Sequence, residues 1–222
     1  GNGTDTFTFA NAGSLTGAVD GGLGNDEIIG DDDGNAFGIT GADSGTLAGK
    51  TSGWSFIQNL TGGTGDDTFT VGASGSLSGL IDGSTETTWD TVDYSAVVAP
   101  VTVVPGTGFT NIERLVGDGT DDTLHGQDVA NTWDITGVNA GTLTYGGTTV
   151  PFAGFINLTG GTNTDAFNYA NAGSLTGAID GGTGNDTITG DDDGNAFTVT
   201  GVDTGTLAGK TTGWSGVENL AG

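Results

Sequence analysis

The chain has 222 residues, among them 46 Gly, 3 Pro, no Cys and no Met, and its 28 acidic residues against 3 basic ones give a formal charge of −25. That much glycine excludes a helical protein, because glycine is costly inside helices and enters where φ must be positive or backbones approach closely. That much negative charge excludes a nucleic-acid backbone or an anionic membrane as partner, and the lack of Cys and Met suits an extracellular setting.

Taken in order, residues 4–60 return as residues 164–220 without a gap. FANAGSLTGAVDGG becomes YANAGSLTGAIDGG, and GDDDGNAF recurs unchanged at 30–37 and 190–197. Between the copies, Phe9/Tyr169, Val19/Ile179 and Ile39/Val199 stay apolar. Glu27/Thr187 and Ile29/Thr189 change character on either side of Ile28/Ile188. This is an alternation of period two, so Ile28 and Ile188 are expected to point inward. Short strands bounded by Gly, Asp or Asn are predicted at 6–9, 15–19, 27–29, 36–40, 46–48 and 56–60. The middle differs: 90–95 and 97–104 form an apolar run interrupted by Pro100 and Pro105, 107–116 leads into the next Gly-Asp turn, and further strands are predicted at 133–136, 143–145 and 150–158. No apolar run is long enough to span a bilayer, and without an initiating Met the chain reads as a processed piece or an internal segment.

A Gly-rich turn with one fixed Asp followed by a short strand punctuates the whole chain. It reads GGTGNDTIT at 181–189, GGTGDDTFT at 62–70 and GGLGNDEII at 21–29, with looser copies GDGTDDTLH at 117–125 and GGTNTDAFN at 160–168. Together with starts near residues 1 and 82, the intervals are close to one or two units of about twenty residues, the mark of a chain that returns repeatedly to one edge. The expected fold is all-β: a right-handed parallel β-solenoid, a β-roll or β-helix, with coils of about twenty residues. It would run as one continuous solenoid over 1–222, with 4–60 duplicated as 164–220 and variant coils at 61–163. Joined head to tail, the ends read LAGGNGTDTF, which superposes on LTGGTGDDTF at 60–69. The expectation is either a segment cut in phase from a tandem array or separate chains that stack.

The nonapeptide GGxGxDxUx, with U a large apolar residue, resembles the RTX (repeats-in-toxin) calcium-binding repeat. The resemblance implies a parallel β-roll whose turn carbonyls and sixth-position Asp bind Ca²⁺ between successive coils. By position the matching aspartates are Asp26, Asp67 and Asp186, with Asp5, Asp122 and Asp165 in looser copies. The implied neighbours are Asp5 with Asp26, Asp67 with Asp90, and Asp165 with Asp186. RTX rolls repeat the motif in uninterrupted tandem, whereas here only some adjacent coils carry it, and Gly and Asp also build plain solvated β-turns. The wider pattern of DTF, AGSLTGxIDGG, GDDxGNAF and xxNLTGG blocks is similar to the β-strand repeats of very large bacterial surface proteins, including adhesin stalks and extracellular fibres.

Other matches read as structural. DDDGN at 31–35 and 191–195 is half of an EF-hand loop without its closing Glu, hence an acidic turn. GTLAGKT at 45–51 and 205–211 lacks the first P-loop glycine, replaced by Ser44 or Thr204, so Lys50 and Lys210 are expected to neutralise neighbouring Asp on a solvated face. Asn59, Asn157 and Asn219 are expected to line a turn and bond from coil to coil. His125, the only imidazole, reads as an ordinary exposed residue, and no catalytic residue is nominated, because the acids recur with the repeat. The expected function is a structural repeat of a secreted bacterial fibre or adhesin stalk, on the cell surface or outside it, with copies of itself as end-to-end partner. The alternative is a Ca²⁺-responsive binding module; ice or glycan binding along a Thr-rich face is a third reading.

Overall fold

A computed structural model of the chain describes residues 1–85 and 89–222. The degraded turn copy that starts near residue 82 runs through residues 86–88, which lie outside the described residues. The chain divides into two compact units, Gly1–Ala99 with Gly106–Val116, and Pro100–Pro105 with Gly117–Gly222. The described residues form strands and turns with no helix, so none is long and apolar enough to cross a membrane.

The first unit holds β1 (Thr6–Thr8), β2 (Val19–Asp20), β3 (Glu27–Ile29), β4 (Ala36–Gly41), β5 (Ser44–Leu47), β6 (Trp54–Ser55), β7 (Asn59–Thr61), β8 (Thr68–Val71), β9 (Ile81–Asp82) and β10 (Thr91–Asp93). After β11 (Thr102–Val103), which belongs to the second unit, the first unit ends with β12 (Phe109–Thr110) and β13 (Arg114–Val116). Its strands lie in the orders β1-β3-β7-β9-β12 and β2-β6-β5-β4-β8-β10-β13. The second unit continues with β14 (Thr123–His125), β15 (Asn131–Gly137), β16 (Ala140–Tyr145), β17 (Thr148–Ala153), β18 (Asn157–Thr162) and β19 (Ala166–Tyr169). It closes with β20 (Ala178–Thr183), β21 (Thr187–Thr189), β22 (Phe197–Gly201), β23 (Thr204–Leu207), β24 (Thr211–Ser215) and β25 (Asn219–Ala221). The orders there are β11-β14-β18-β20-β24-β23-β22 and β17-β16-β15-β19-β21-β25.

Most of these strands are two to four residues long and carry one apolar side chain at the centre. The strand period of two turns that side chain inward and leaves its neighbours half-buried, as in Glu27–Ile29, Thr123–His125 and Thr187–Thr189. Ile28 and Ile188 are fully buried, as the comparison of the two copies predicts. In-register parallel pairing then stacks the apolar residues in columns. Phe7, Ile28, Leu60, Ile81 and Phe109 form one, and Phe37, Phe69, Val92 and Leu115 another. In the second unit the columns are Val103, Leu124, Leu158, Ile179 and Trp214, and Trp133, Phe167, Ile188 and Leu220. Each fully buried residue of this kind contributes about 1.5–3 kcal/mol. No single strand is stable alone, so the columns and the ladder hydrogen bonds are the cohesive elements.

The sheets are mixed, not purely parallel. β4, β5 and β6 pair antiparallel in sequence, as do β15, β16 and β17, and β22, β23 and β24. These inserted hairpins explain the uneven spacing of the turns. Equivalent residues on successive passes of the chain are 21 or 23 apart where the connection is simple, and 32 or 34 apart where it contains a hairpin. Glycine permits the fold-over: a Cβ on Gly45 would sit 1.9 Å from Gly38 O and 2.6 Å from the Trp54 ring, which lies across the hairpin.

Several predicted strands change their limits for local reasons: 15–19 keeps only β2 at Val19–Asp20, with Leu15 exposed, and 150–158 divides into β17 and β18 at Gly154, whose φ is 78. The segment 56–60 is not one strand, because Phe56 takes φ 54 and projects an exposed ring, so β6 ends at Ser55 and β7 begins at Asn59. The apolar run 97–104 yields only the two-residue β11, with Val98 exposed.

Candidate functional site

The sixth-position acids of the turns are the most unusual groups in the molecule: Asp26, Asp67, Asp90, Asp122, Asp165 and Asp186 are all buried. Each turn ends with its Asp immediately before the next strand, so the side chain is delivered inward, one residue before the half-buried Thr, Glu or Ala that opens that strand. Its Oδ1 accepts the backbone N–H of the equivalent residue on the previous pass of the chain. Asp5 N–H donates to Asp26 at 2.8 Å, Asp67 N–H to Asp90 at 2.7 Å and Asp165 N–H to Asp186 at 2.8 Å. The three pairs implied as calcium ligands thus lie on adjacent passes, joined by backbone capping. Asp122 follows the same rule, its Oδ1 accepting from Val101 N–H at 2.9 Å, and differs in that its Oδ2 also accepts, from Asp118 N–H at 2.7 Å.

The second carboxylate oxygen explains the motif's first glycine. A Cβ on Gly181 would lie 2.8 Å from Asp186 Oδ2 and 1.9 Å from Gly216 O, and one on Gly62 would lie 2.1 Å from Asp67 Oδ2. The Asp folds back over the Cα of the residue five places earlier, and only glycine leaves the room. Oδ2 of Asp26, Asp165 and Asp186 is buried with no hydrogen-bond partner among the described residues.

The ladder extends through residues that the sequence reading did not place in it. Asn35 and Asn131 occupy the Asp position of further turns, giving backbone N–H bonds of 2.6 Å to Asp67 and 2.7 Å to Asp165. Their amides also reach turn carbonyls, for example Asn35 Nδ2 to Gly62 O at 3.0 Å and Asn131 Nδ2 to Gly160 O at 3.0 Å. At the other end the acceptor is a longer side chain: Asp26 N–H donates to Gln58, Asp90 N–H to Glu113 and Asp186 N–H to Glu218. The signal that identifies Asn35, Asn131 and Asn195 is a glycine five residues upstream, at Gly30, Gly126 and Gly190, the spacing that links Gly181 to Asp186. DDDGN is thus a turn of the same family.

Burial sets the electrostatics. It is the largest cause of the rise of the Asp186 carboxyl to about 6, opposed by the Asp165 N–H and reinforced by the charges of Asp165, Glu218 and Asp180. Burial also pushes Asp165 up, against the Asn131 hydrogen bonds, and pushes Asp122 up. The carboxyls of Asp31 and Asp191 shift the other way, because Lys50 and Lys210 hydrogen-bond to them. Those two ion pairs are enclosed, which corrects the expectation of a solvated face. His125 is half-buried in β14, its Nδ1 2.7 Å from Gly126 O. Asn59 and Asn157 bond between passes as expected, their Oδ1 atoms accepting from Leu80 N–H and Ala178 N–H at 3.0 Å.

Three carboxylates converge among the described residues at Asp118, Asp121 and Asp122, with ligand atoms within 4.8 Å of one another. Of the seven aspartates proposed as calcium ligands, only Asp122 belongs to this cluster. In the others, Oδ1 is engaged by backbone wherever a pairing is formed, so a cation at Asp26, Asp165 or Asp186 would draw on the buried Oδ2. Neither the family models nor the curated proteins compared with the chain match it.

Proposed function

We propose that this chain is a structural repeat of a bacterial extracellular fibre or adhesin stalk, a β-solenoid that extends by stacking further coils of the same kind. The observation that carries this reading is the reuse of one construction throughout both units: an Asp that caps a backbone N–H of the previous pass, the glycine beneath it, and the apolar residue stacked in register. The acids, the most conspicuous chemistry in the sequence, are employed in holding backbone to backbone. A role distributed over every pass is mechanical rather than catalytic. Sedimentation and electron microscopy of the purified chain test it: linear assemblies that grow with concentration are expected, and isolated monomers under all ionic conditions overturn it.

A second reading, a Ca²⁺-responsive module, is favoured by the convergence of Asp118, Asp121 and Asp122 and by the buried Oδ2 atoms. Ca²⁺ would neutralise a chain of charge −25 and stabilise the folded form by linkage. Circular dichroism and thermal unfolding with and without a chelator decide it. A drop in strand content on chelation supports the switch, and unchanged spectra and melting temperature remove it.

A further inference from the structure

Three antiparallel hairpins, β4 with β5, β15 with β16 and β22 with β23, share one design, and two of them are covered. On the first, Asn35 N–H donates to Asp67, Phe37 stacks on Phe69 with ring centroids 4.9 Å apart, and Ser76 N–H donates to Gly41 O at 3.2 Å. On the second, Asn131 N–H donates to Asp165, Trp133 stacks on Phe167 at 5.8 Å, and Ser174 N–H donates to Gly137 O at 3.1 Å. The third carries the same residues, Asn195, Phe197 and Gly201, with β22 at the edge of its sheet. Val199 is 62 % exposed, where its counterparts Ile39 and Ile135 are 1 % and 0 %.

The segment that covers the second hairpin, DAFNYANAGSLT at 165–176, is the repeat copy of DTFTFANAGSLT at 5–16. Among the described residues that first copy covers no hairpin: β1 and β2 are edge strands, and Phe7, Phe9, Leu15 and Val19 line an open apolar groove. Leu15 is 52 % exposed, its copy Leu175 only 4 %. Gly17 gives the second, independent sign. Its equivalents are glycines out of necessity, because a Cβ on Gly79 would lie 2.4 Å from Gln58 O and one on Gly177 would lie 2.6 Å from Ile156 O. A Cβ on Gly17 meets nothing within 4 Å. Among the described residues, nothing in contact requires glycine there.

We infer that the open coil at 195–203 and 219–222 of one chain docks residues 5–20 of a second copy, in the register the molecule already uses twice. This rests on the reading of the chain as a stacking structural repeat and specifies its contact. Asn195 N–H donates to Asp5 of the second copy, and Phe7 and Phe9 settle on Phe197 and Val199. Gly17 lies over Glu218 O, as Gly79 lies over Gln58 O. The Oδ1 of Asn219 accepts from Ala18 N–H, as Asn59 and Asn157 do from Leu80 and Ala178. The contact is heterologous, so each chain offers one face of each kind.

Two measurements on the full chain test the inference. Gly17→Ala is expected to leave the melting temperature unchanged and to abolish self-association in sedimentation. Because the chain has no cysteine, Thr8→Cys and Thr198→Cys variants can be mixed under mild oxidation. These exposed positions correspond to the observed partners Thr70 and Gly38, and adjacent strands place them at disulfide distance, so cross-linking about tenfold above a Thr6→Cys and Thr198→Cys mixture is expected. Self-association that survives Gly17→Ala, or equal cross-linking in both mixtures, overturns the register and leaves the structural reading standing. No association of the unmodified chain at any concentration overturns both.

Discussion

The backbone N–H of Asp165 donates to Oδ1 of Asp186 at 2.8 Å, and both carboxylates are fully buried. A charged acceptor makes this bond stronger than an ordinary amide–carbonyl one, and the burial makes its loss expensive. Asp186→Ala strands the Asp165 N–H inside the protein and is expected to cost about 1–3 kcal/mol, read as a lower unfolding midpoint in urea. Asp186→Asn keeps an acceptor and removes a buried charge, and the neutral amide oxygen of Gln58 already accepts a ladder N–H from Asp26, so it is expected to cost less than Asp186→Ala. Equal losses for the two variants would mean that a neutral acceptor of the same shape does not suffice and that the site needs the carboxylate's charge or its second oxygen.

The same residue predicts an unusual pH dependence. Its folded-state carboxyl titrates at about 6 against an ordinary 3.8, so the folded chain binds this proton more tightly than the unfolded one. The stability it contributes is fully present below the ordinary value and lost as pH rises through about 6, up to about 3 kcal/mol between the two limits. Asp31 and Asp191 act oppositely: their carboxyls are held below the ordinary value by Lys50 and Lys210, so their contribution is present above that value and lost as pH falls through the lowered one. Melting temperature is expected to rise from pH 7 to a maximum at about pH 4–5 and to fall below it. A melting temperature that falls steadily from pH 7 downward would contradict the buried ladder.

Glycine at the head of each turn is predicted to be intolerant of even one methyl group. Gly181→Ala places a Cβ 1.9 Å from Gly216 O, a backbone atom that cannot swing away, and 2.8 Å from Asp186 Oδ2. The expected loss is about 3 kcal/mol or more. Gly3→Ala, with nothing within 4 Å, is the control and is expected to be within about 0.5 kcal/mol of the parent chain. Chemical denaturation of both variants decides the matter.

These sites show what was legible in the sequence. The inward Ile28 and Ile188, the copy of residues 4–60 at 164–220 and the adjacency of Asp5 to Asp26, Asp67 to Asp90 and Asp165 to Asp186 all follow from residue type and spacing, because period-two strands in register leave little choice. The hairpins did not show, since GITGADSGTL carries its reversal on Asp43, a non-glycine residue at φ 44, and its antiparallel partner is local. Nor did the place of Asn35, Asn131, Gln58, Glu113 and Glu218. Reading the motif as a metal signature fixes attention on Asp, whereas its structural demand is for any acceptor that reaches a buried N–H.

The enclosed ion pairs predict a strong asymmetry between single and double replacements. Lys50 pairs with Asp31, whose other oxygen, Oδ1, is buried without a hydrogen-bond partner among the described residues. Lys50→Ala leaves that carboxylate buried and uncompensated, at an expected cost of about 3–5 kcal/mol. Replacing both, as Lys50→Met with Asp31→Leu, removes the charge along with its partner and is expected to recover most of the loss. A double variant no more stable than Lys50→Ala, measured by thermal unfolding, would show that the pair does more than neutralise.

Salt is expected to govern association more than folding. Two copies meeting at Phe197 and Phe7 each carry a formal charge of −25, and beyond the contact itself their acids repel one another. At 0.1 M ionic strength the Debye length is about 10 Å, so charges away from the contact are largely screened, while at 0.01 M it is about 30 Å and they act across much of the molecule. The docking contacts are apolar stacking and backbone hydrogen bonds, which salt leaves intact. Sedimentation at fixed protein concentration is therefore expected to show association rising as sodium chloride is raised from about 0.01 to 0.5 M. The monomer's melting temperature, followed in the Gly17→Ala chain, should move far less over that range. Association that weakens with added salt would mean that complementary charge, not the apolar register, holds the copies together.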